Sequence, residues 1–489
     1  MPKASHGADL LIDGQLVPAS DGGTFDNVNP ATEEVIGVTA DGTAADMDRA
    51  IQAARRAFDE TGWSTDLGFR VRCLRQLQEA LIKNAEELRS AIVAEIGTPV
   101  TLTRGPQLDA PVEGIGWVAD LAEGYEWTSD LGEAAPFGIR THRWVQREPA
   151  GVVGAITPWN FPMQINLAKI VPALAAGCTA VLKPAPDSPW TATLLGRIAA
   201  QETDLPPGVL NVVASSRHEV GQQLAEDSRV DMVSFTGSTA TGRKVMMAGT
   251  GNLKKVFLEL GGKSALVVLD DADLAAVVGN AAFQITTHAG QGCAILTRLL
   301  LPRARYDEGV EALVATLRNW PIGDPTDPSV LMGPLISELQ RQRVLAYIEK
   351  GVAEGARVAL GGGIPAQLPR GWFVEPTVLA NVGENDVVAQ EEIFGPVIAV
   401  IPYEGDDDEA VRIANNSRYG LSGAVISASA ERARAAAGKI RTGTMSVNGG
   451  VYYGADMPFG GYRQSGVGRE SGRAGFEEYL EIKAIAEGV

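Results

Sequence analysis

The sequence predicts an α/β protein with more than one domain, and three observations carry that prediction. Five short apolar runs at 151–156, 179–182, 209–213, 230–235 and 256–260 alternate with helical stretches at 163–176, 189–201, 218–226 and 239–248. Parallel strands need a crossover between them, so this alternation describes βαβ units on a parallel sheet, with a nucleotide site expected at the carboxyl ends of the strands. A second alternating block runs from 265 to about 444 and predicts a second α/β domain. The length of 489 residues points the same way, because one hydrophobic core seldom extends that far.

Taken in order, the first fifty residues read as short strands and turns: a strand at 10–12, the turn Asp13-Gly14, and a turn at Asn29-Pro30. Residues 46–58 and 70–96 then place apolar side chains at three- and four-residue steps, the period of an amphipathic helix. The second block is punctuated by Gly361-Gly362-Gly363, Glu375-Pro376-Thr377 and Phe394-Gly395-Pro396. Its acidic run Asp406-Asp407-Asp408-Glu409 reads as a helix start, where negative charge meets the positive end of the helix dipole.

Composition excludes several classes. With Lys+Arg 42 against Asp+Glu 60, the formal net charge is −18, which argues against a surface that grips nucleic-acid phosphates. No apolar run reaches the roughly 18 residues of a membrane span, and residues 1–16 lack a basic region followed by a long apolar stretch. A cytoplasmic protein without membrane or nucleic-acid partners is expected. Cys73, Cys178 and Cys293 are far apart and odd in number, and the four histidines do not cluster, so neither disulfides nor a metal site are expected.

Five segments could carry chemistry. Thr157-Pro158-Trp159-Asn160-Phe161-Pro162 is a rigid turn after a strand, able to present the Asn160 amide as a fixed donor or simply to cap backbone. Lys183 ends a strand and can reach a ligand hydroxyl. Phe235-Thr236-Gly237-Ser238-Thr239-Ala240-Thr241-Gly242 joins a strand to a helix, where glycine permits close approach and the helix start offers free N–H groups to phosphate. It matches neither the Rossmann fingerprint nor the Walker loop. Glu259 closes an apolar strand, where desolvation suits a general base and Lys263 or Lys255 could instead pair with it. Gly290-Gln291-Gly292-Cys293-Ala294 sets one cysteine among small residues, where a nucleophile is accessible; Cys73 and Cys178 read as core.

Together these motifs, with 391–396 and 458–461, resemble the NAD(P)-dependent aldehyde dehydrogenase superfamily over essentially the whole chain. The resemblance implies a variant Rossmann cofactor-binding domain (1–126 and 150–261), an α/β catalytic domain (262–470) and a small β oligomerisation arm (127–149 and 471–489), assembled as a homodimer or homotetramer. It assigns Cys293 as nucleophile, Asn160 as oxyanion donor and Glu259 as general base, with Lys169 and Glu470 assisting proton transfer. Trp159, Lys183, Gly237, Ser238, Glu392 and Phe394 correspond to cofactor contacts. Phe161, Ile165, Ala168, Thr287, Gly292, Ala294, Val451, Tyr453 and Phe459 correspond to the substrate tunnel, a mostly apolar lining that favours apolar aldehydes; Gly292 suggests extra room or loop flexibility. The implied reaction is oxidation of an aldehyde through a cysteine thiohemiacetal and a thioester hydrolysed by activated water.

One position departs from the pattern. Many members carry a glutamate three residues after the lysine, which binds the ribose hydroxyls and repels a 2′-phosphate; here it is Pro186. NAD is still favoured, with NADP possible, because no arginine stands beside Lys183 in the sequence. Rival readings are a coenzyme-A-acylating dehydrogenase, against which Glu259 counts, a cysteine esterase without redox turnover, and a binding protein that keeps the fold.

Overall fold

The computed structural model describes residues 9–489. The N-terminal segment read as lacking a targeting signal falls in part on residues 1–8, outside the described residues.

The first sheet runs in the order Gly466–Val467, Lys255–Glu259, Met232–Thr236, Val152–Ile156, Thr179–Lys183, Leu210–Val212, Leu10–Ile12, Gln15–Val17. Its five central strands are parallel and the outer ones antiparallel. The strands Val152–Ile156 and Thr179–Lys183 are apolar and buried almost throughout, as expected of strands covered by helices on both faces. Register puts Ile156 opposite Lys183 and Thr236 opposite Glu259, so the last residues of four strands share one edge. That edge is where the candidate residues lie.

The helix Pro162–Ala176 that follows the Asn160 turn starts with proline at a position whose N–H is free in any case, and stops at Gly177, whose φ of 98° suits glycine. Residues 70–96 do not form one helix. They divide into Leu67–Lys83 and Ala85–Ile96, because Asn84 turns its Nδ2 (2.8 Å) and its main-chain N–H (3.1 Å) onto the Ala80 carbonyl and ends the first helix. The acidic run opens the helix Asp407–Asn415 as expected, with the Asp406 carboxylate accepting from the N–H groups of Asp408 and Glu409.

The second sheet has the order Arg357–Leu360, Thr377–Ala380, Val397–Tyr403, Arg298–Pro302, Ala265–Val268, Gly423–Ile426, Ser446–Val447, parallel except at its first strand. The buried Arg298 guanidinium donates to the carbonyls of Lys263 (2.8 Å), Ala414 (2.8 Å) and Ile413 (3.2 Å), tying this sheet to the loop after Glu259. A third, antiparallel sheet joins Leu480–Gly488, Thr141–Pro149 and Thr128–Ala134. The helix Gly472–Glu477 just before its last strand buries Phe476 edge-on to Tyr125, with centroids 5.1 Å apart.

Candidate active site

Cys293 sits where the two sheets meet. Its loop is reached through His288, Ala289 and Gly290, all at positive φ (45°, 52° and 74°). A Cβ on Gly290 would stand 2.1 Å from the Gly395 carbonyl oxygen, so only glycine fits. A Cβ on Gly262 would stand 2.4 Å from the Cys293 carbonyl oxygen, which shows how closely the loop after Glu259 passes the cysteine. Of the three cysteines, Cys73 and Cys178 are buried and Cys293 is half-buried. Desolvation, with the nearby carboxyls of Glu259, Glu392 and Glu470, raises the Cys293 thiol well above its usual range. The thiol is therefore protonated at rest and needs a base.

Asn160, held in its two-proline turn, donates from Nδ2 to the Gln291 carbonyl at 2.9 Å, and its own carbonyl accepts from Gln107 Nε2 at 2.9 Å. The second Nδ2 proton makes no hydrogen bond among the described residues. Gln291 is itself clamped: its Oε1 accepts from Ile336 N–H (2.9 Å) and its Nε2 donates to His288 O (3.0 Å). Sequence reasoning missed Gln291 and Gln107 because their partners are distant in the chain.

Glu259 ends its strand with its side chain 2 % exposed, and neither carboxyl oxygen has a hydrogen-bond partner. The alternative of an ion pair fails, since Lys255 Nζ donates to the Leu480 carbonyl at 2.8 Å and lies 3.6 Å from Glu481, while Lys263 Nζ has no hydrogen-bond partner. Burial raises the Glu259 carboxyl well above the usual range, reinforced by Glu470 and opposed by Lys169 and Arg469. A carboxyl so placed is built to take a proton near neutral pH. Behind it, Lys169 Nζ meets Glu470 Oε1 at 3.0 Å and Ser234 Oγ at 3.2 Å, over the Phe257 ring.

The cofactor candidates come from that edge and, for Glu392 and Phe394, from the loop before the strand Val397–Tyr403 of the second sheet. Lys183 Nζ donates to the carbonyls of Pro184 (2.9 Å) and Ser215 (3.1 Å), and burial lowers its pKa to about 8. Gly237 N–H bonds to the Glu259 carbonyl at 3.0 Å, and Ser238 caps the exposed start of the helix Thr239–Gly249. Glu392 accepts from Gly262 N–H at 3.0 Å, and its carboxyl is pushed up to about 6 by burial. Phe394, at φ 62°, meets Trp159 edge-on with centroids 5.4 Å apart.

On the substrate side, Ile165 and Ala294 are buried, Phe161 and Phe459 half-buried, and Val451 and Tyr453 exposed. Tyr453 stacks on Phe459 at 6.0 Å and packs at 4.7 Å against Tyr452, which sequence reasoning missed. Gly292 does not supply the extra room expected of it. A Cβ there would meet Ile295 Cδ1 at 2.8 Å, so Ile295 already fills the space over the glycine.

The chain is similar to known proteins over nearly its whole length. The profile of the aldehyde dehydrogenase family matches residues 16–485. A 3-succinoylsemialdehyde-pyridine dehydrogenase from a Pseudomonas species is 44 % identical over 98 % of both chains, and the geranial dehydrogenase of Castellaniella defragrans is 40 % identical over 97 % of this chain and 98 % of its own. Betaine aldehyde dehydrogenase from Staphylococcus aureus, solved with NAD+, superposes with a TM-score of 0.95 at 35 % identity, covering 99 % of this chain and 95 % of that one. An aldehyde dehydrogenase of Mycobacterium tuberculosis complexed with NAD+ gives 0.94 at 41 % identity, covering 98 % and 97 %. The chain belongs to the aldehyde dehydrogenase family.

Proposed function

We propose that the protein oxidises aldehydes to carboxylic acids with NAD, Cys293 being the nucleophile. The observation that carries this reading is the convergence of a half-buried thiol, a half-committed amide at Asn160 and an unpartnered carboxyl at Glu259 from three distant segments.

The residues present fit a dinucleotide. Lys183 keeps one ammonium proton beyond its two carbonyl partners, the helix after Ser238 opens at an exposed N-terminus, and a Cβ on Gly261 would stand 2.5 Å from Glu392 Oε2, where close approach has been kept open. Lys183 would hold the adenosine ribose, Ser238 and Trp159 the pyrophosphate, and Glu392 and Phe394 the nicotinamide end. The chemistry NAD supplies when bound is acceptance of a hydride equivalent.

The chain's own residues do the rest. Cys293 Sγ attacks the aldehyde carbon once its proton has passed to a base, and Glu259 is the carboxyl that acts on it most strongly. The oxygen that gains charge is met by the free Nδ2 proton of Asn160 and the Cys293 main-chain N–H. Glu259 then takes a proton from the water that hydrolyses the thioester, and Lys169 and Glu470 set its affinity for that proton. Coenzyme A is not needed for release.

The aromatic mouth of Phe161, Tyr452, Tyr453 and Phe459 supports bulky apolar or aromatic aldehydes. Relatives named for a succinoylsemialdehyde-pyridine and for geranial fit that choice. Domain ranges are proposed as read from the sequence, with Phe476 marking where the arm meets the core. Exposed Leu131, Ile139 and Ile482 on the arm support a homodimer or homotetramer, measurable by light scattering. No helix among the described residues is long and apolar enough to cross a membrane, and a cytoplasmic location is proposed. The decisive experiment is NADH formation across an aldehyde panel. Hexanal and benzaldehyde should lead succinic semialdehyde in kcat/KM; the reverse order would overturn the substrate choice, and no NADH with any aldehyde would overturn the activity.

A further inference from the structure

Pro186 leaves the adenosine end of the site without the carboxylate that would exclude a 2′-phosphate, yet the fold gathers other charges there. The Lys183 stem lies against Gly221, where a Cβ would meet Cδ at 3.3 Å. Gly221 belongs to the helix His218–Glu226, and the residue that precedes this helix is Arg217. Arg217 thus stands two residues beyond Ser215, whose carbonyl holds Lys183 Nζ at 3.1 Å. The sequence alone shows no arginine near the lysine; the fold brings one into the loop that Lys183 bonds.

That arginine is occupied. Its Nη2 lies 2.7 Å from Asp21 Oδ2 and its Nε 3.3 Å from Asp41 Oδ2. Asp41 is fixed in turn, accepting from Ser216 N–H (2.8 Å), Ser216 Oγ (2.9 Å) and Ser215 Oγ (3.2 Å). Two cations, Lys183 and Arg217, are therefore faced by three carboxylates, Asp21, Asp41 and Asp187. A ribose hydroxyl asks only for the spare proton of Lys183. A phosphate dianion needs a net positive site and a guanidinium free to turn toward it.

We propose that Arg217 is a latent ligand for a 2′-phosphate, held away from the adenosine pocket by Asp21 and Asp41, and that this clamp sets the preference for NAD over NADP in the absence of a carboxylate at position 186. The proposal rests on the reading that this pocket takes the adenosine of NAD. Asp21 is the residue to change, because it is half exposed and far from the cysteine, whereas Asp41 braces the loop.

The test is calorimetric binding of 5′-AMP and 2′,5′-ADP to the full-length protein, a readout independent of turnover. The unsubstituted protein should bind 5′-AMP at least as tightly as 2′,5′-ADP. Asp21→Ala and Asp21→Asn should each tighten 2′,5′-ADP by about tenfold, the scale of one charge-assisted hydrogen bond, while moving 5′-AMP by less than about twofold. Arg217→Ala placed on Asp21→Ala should cancel the gain. An unchanged ratio in both Asp21 variants, a gain that survives Arg217→Ala, or a parent protein that already prefers 2′,5′-ADP would overturn the clamp. If neither nucleotide binds any variant, the cofactor-site reading falls and the clamp with it; binding of 5′-AMP with no change in ratio removes the clamp alone.

Discussion

Asn160 Nδ2 donates to the main-chain carbonyl of Gln291 at 2.9 Å, two residues before Cys293. The bond fixes the rotation of the amide plane and leaves its second proton free, so the donor is oriented before any aldehyde arrives. Such preorganisation is worth about 10²–10³ in rate when it faces developing oxyanion charge. Asn160→Ala should therefore lower kcat by about that factor while leaving NAD affinity nearly unchanged, as read from steady-state rates and from fluorescence titration. A comparable loss in NAD affinity would make Asn160 a structural residue of the turn.

Glu259 should impose an acid limb on deacylation. Its carboxyl is raised by burial, and it works as a base only when ionised, so turnover should rise with pH through its elevated pKa and fall below it. Glu470 adds to that rise and Lys169 opposes it. Glu470→Gln should thus move the limb to lower pH, and Lys169→Met should move it to higher pH, both seen in kcat against pH. Glu259→Gln should give one burst of NADH and then stall, because attack precedes the water step. Limbs that move together would show that the pair acts only by holding the fold.

Much of this was legible in the chain. The strands that carry Ile156, Lys183, Thr236 and Glu259 to one edge are continuous apolar runs closed by turn signals, and their shared edge follows from parallel pairing alone. What stayed hidden depends on which surfaces meet. Asn160 and Gln291 lie 131 residues apart, Arg217 and Asp21 196 apart, and no local pattern links them. The want of room at Gly292 was hidden for the same reason: an empty position beside a nucleophile looks like space until Ile295 is found packed over it. The break at Asn84 was missed because the apolar period runs on through it while one side-chain amide turns back onto Ala80.

The three thiols should separate cleanly. Burial raises Cys73 and Cys178 to about 11 and leaves them sealed in the core, whereas Cys293 is half-buried at the head of its loop. Titration of the folded protein with a thiol-disulfide reagent should modify one cysteine, and denaturation should release all three. Mass mapping should place the single label on Cys293, and NAD-dependent activity should be lost in step. A folded protein that exposes a second thiol would show that the packing over Cys73 or Cys178 opens on the timescale of the assay.

Stability should hinge on a carboxyl far from the chemistry. Glu95, fully buried near the end of the helix Ala85–Ile96, accepts from the N–H groups of Trp190 (2.8 Å) and Thr191 (2.9 Å), from the Thr191 hydroxyl and from Asn27 Nδ2 (3.2 Å). It thereby caps the helix Pro189–Glu202, whose own cap residue, Ser188, makes no such bond. Removing the acceptor strands at least two buried N–H groups, each costing about 1–3 kcal/mol, while conservative replacement keeps one oxygen for them. Glu95→Ala should accordingly lower unfolding free energy by about 3 kcal/mol and Glu95→Gln by clearly less, measured from urea midpoints at constant slope. Since that helix packs on the strand Leu210–Val212, which pairs with the strand ending in Lys183, the alanine variant should also weaken 5′-AMP binding before it touches the reactivity of Cys293. Loss of thiol reactivity ahead of nucleotide binding would show that the cap supports the catalytic loop instead.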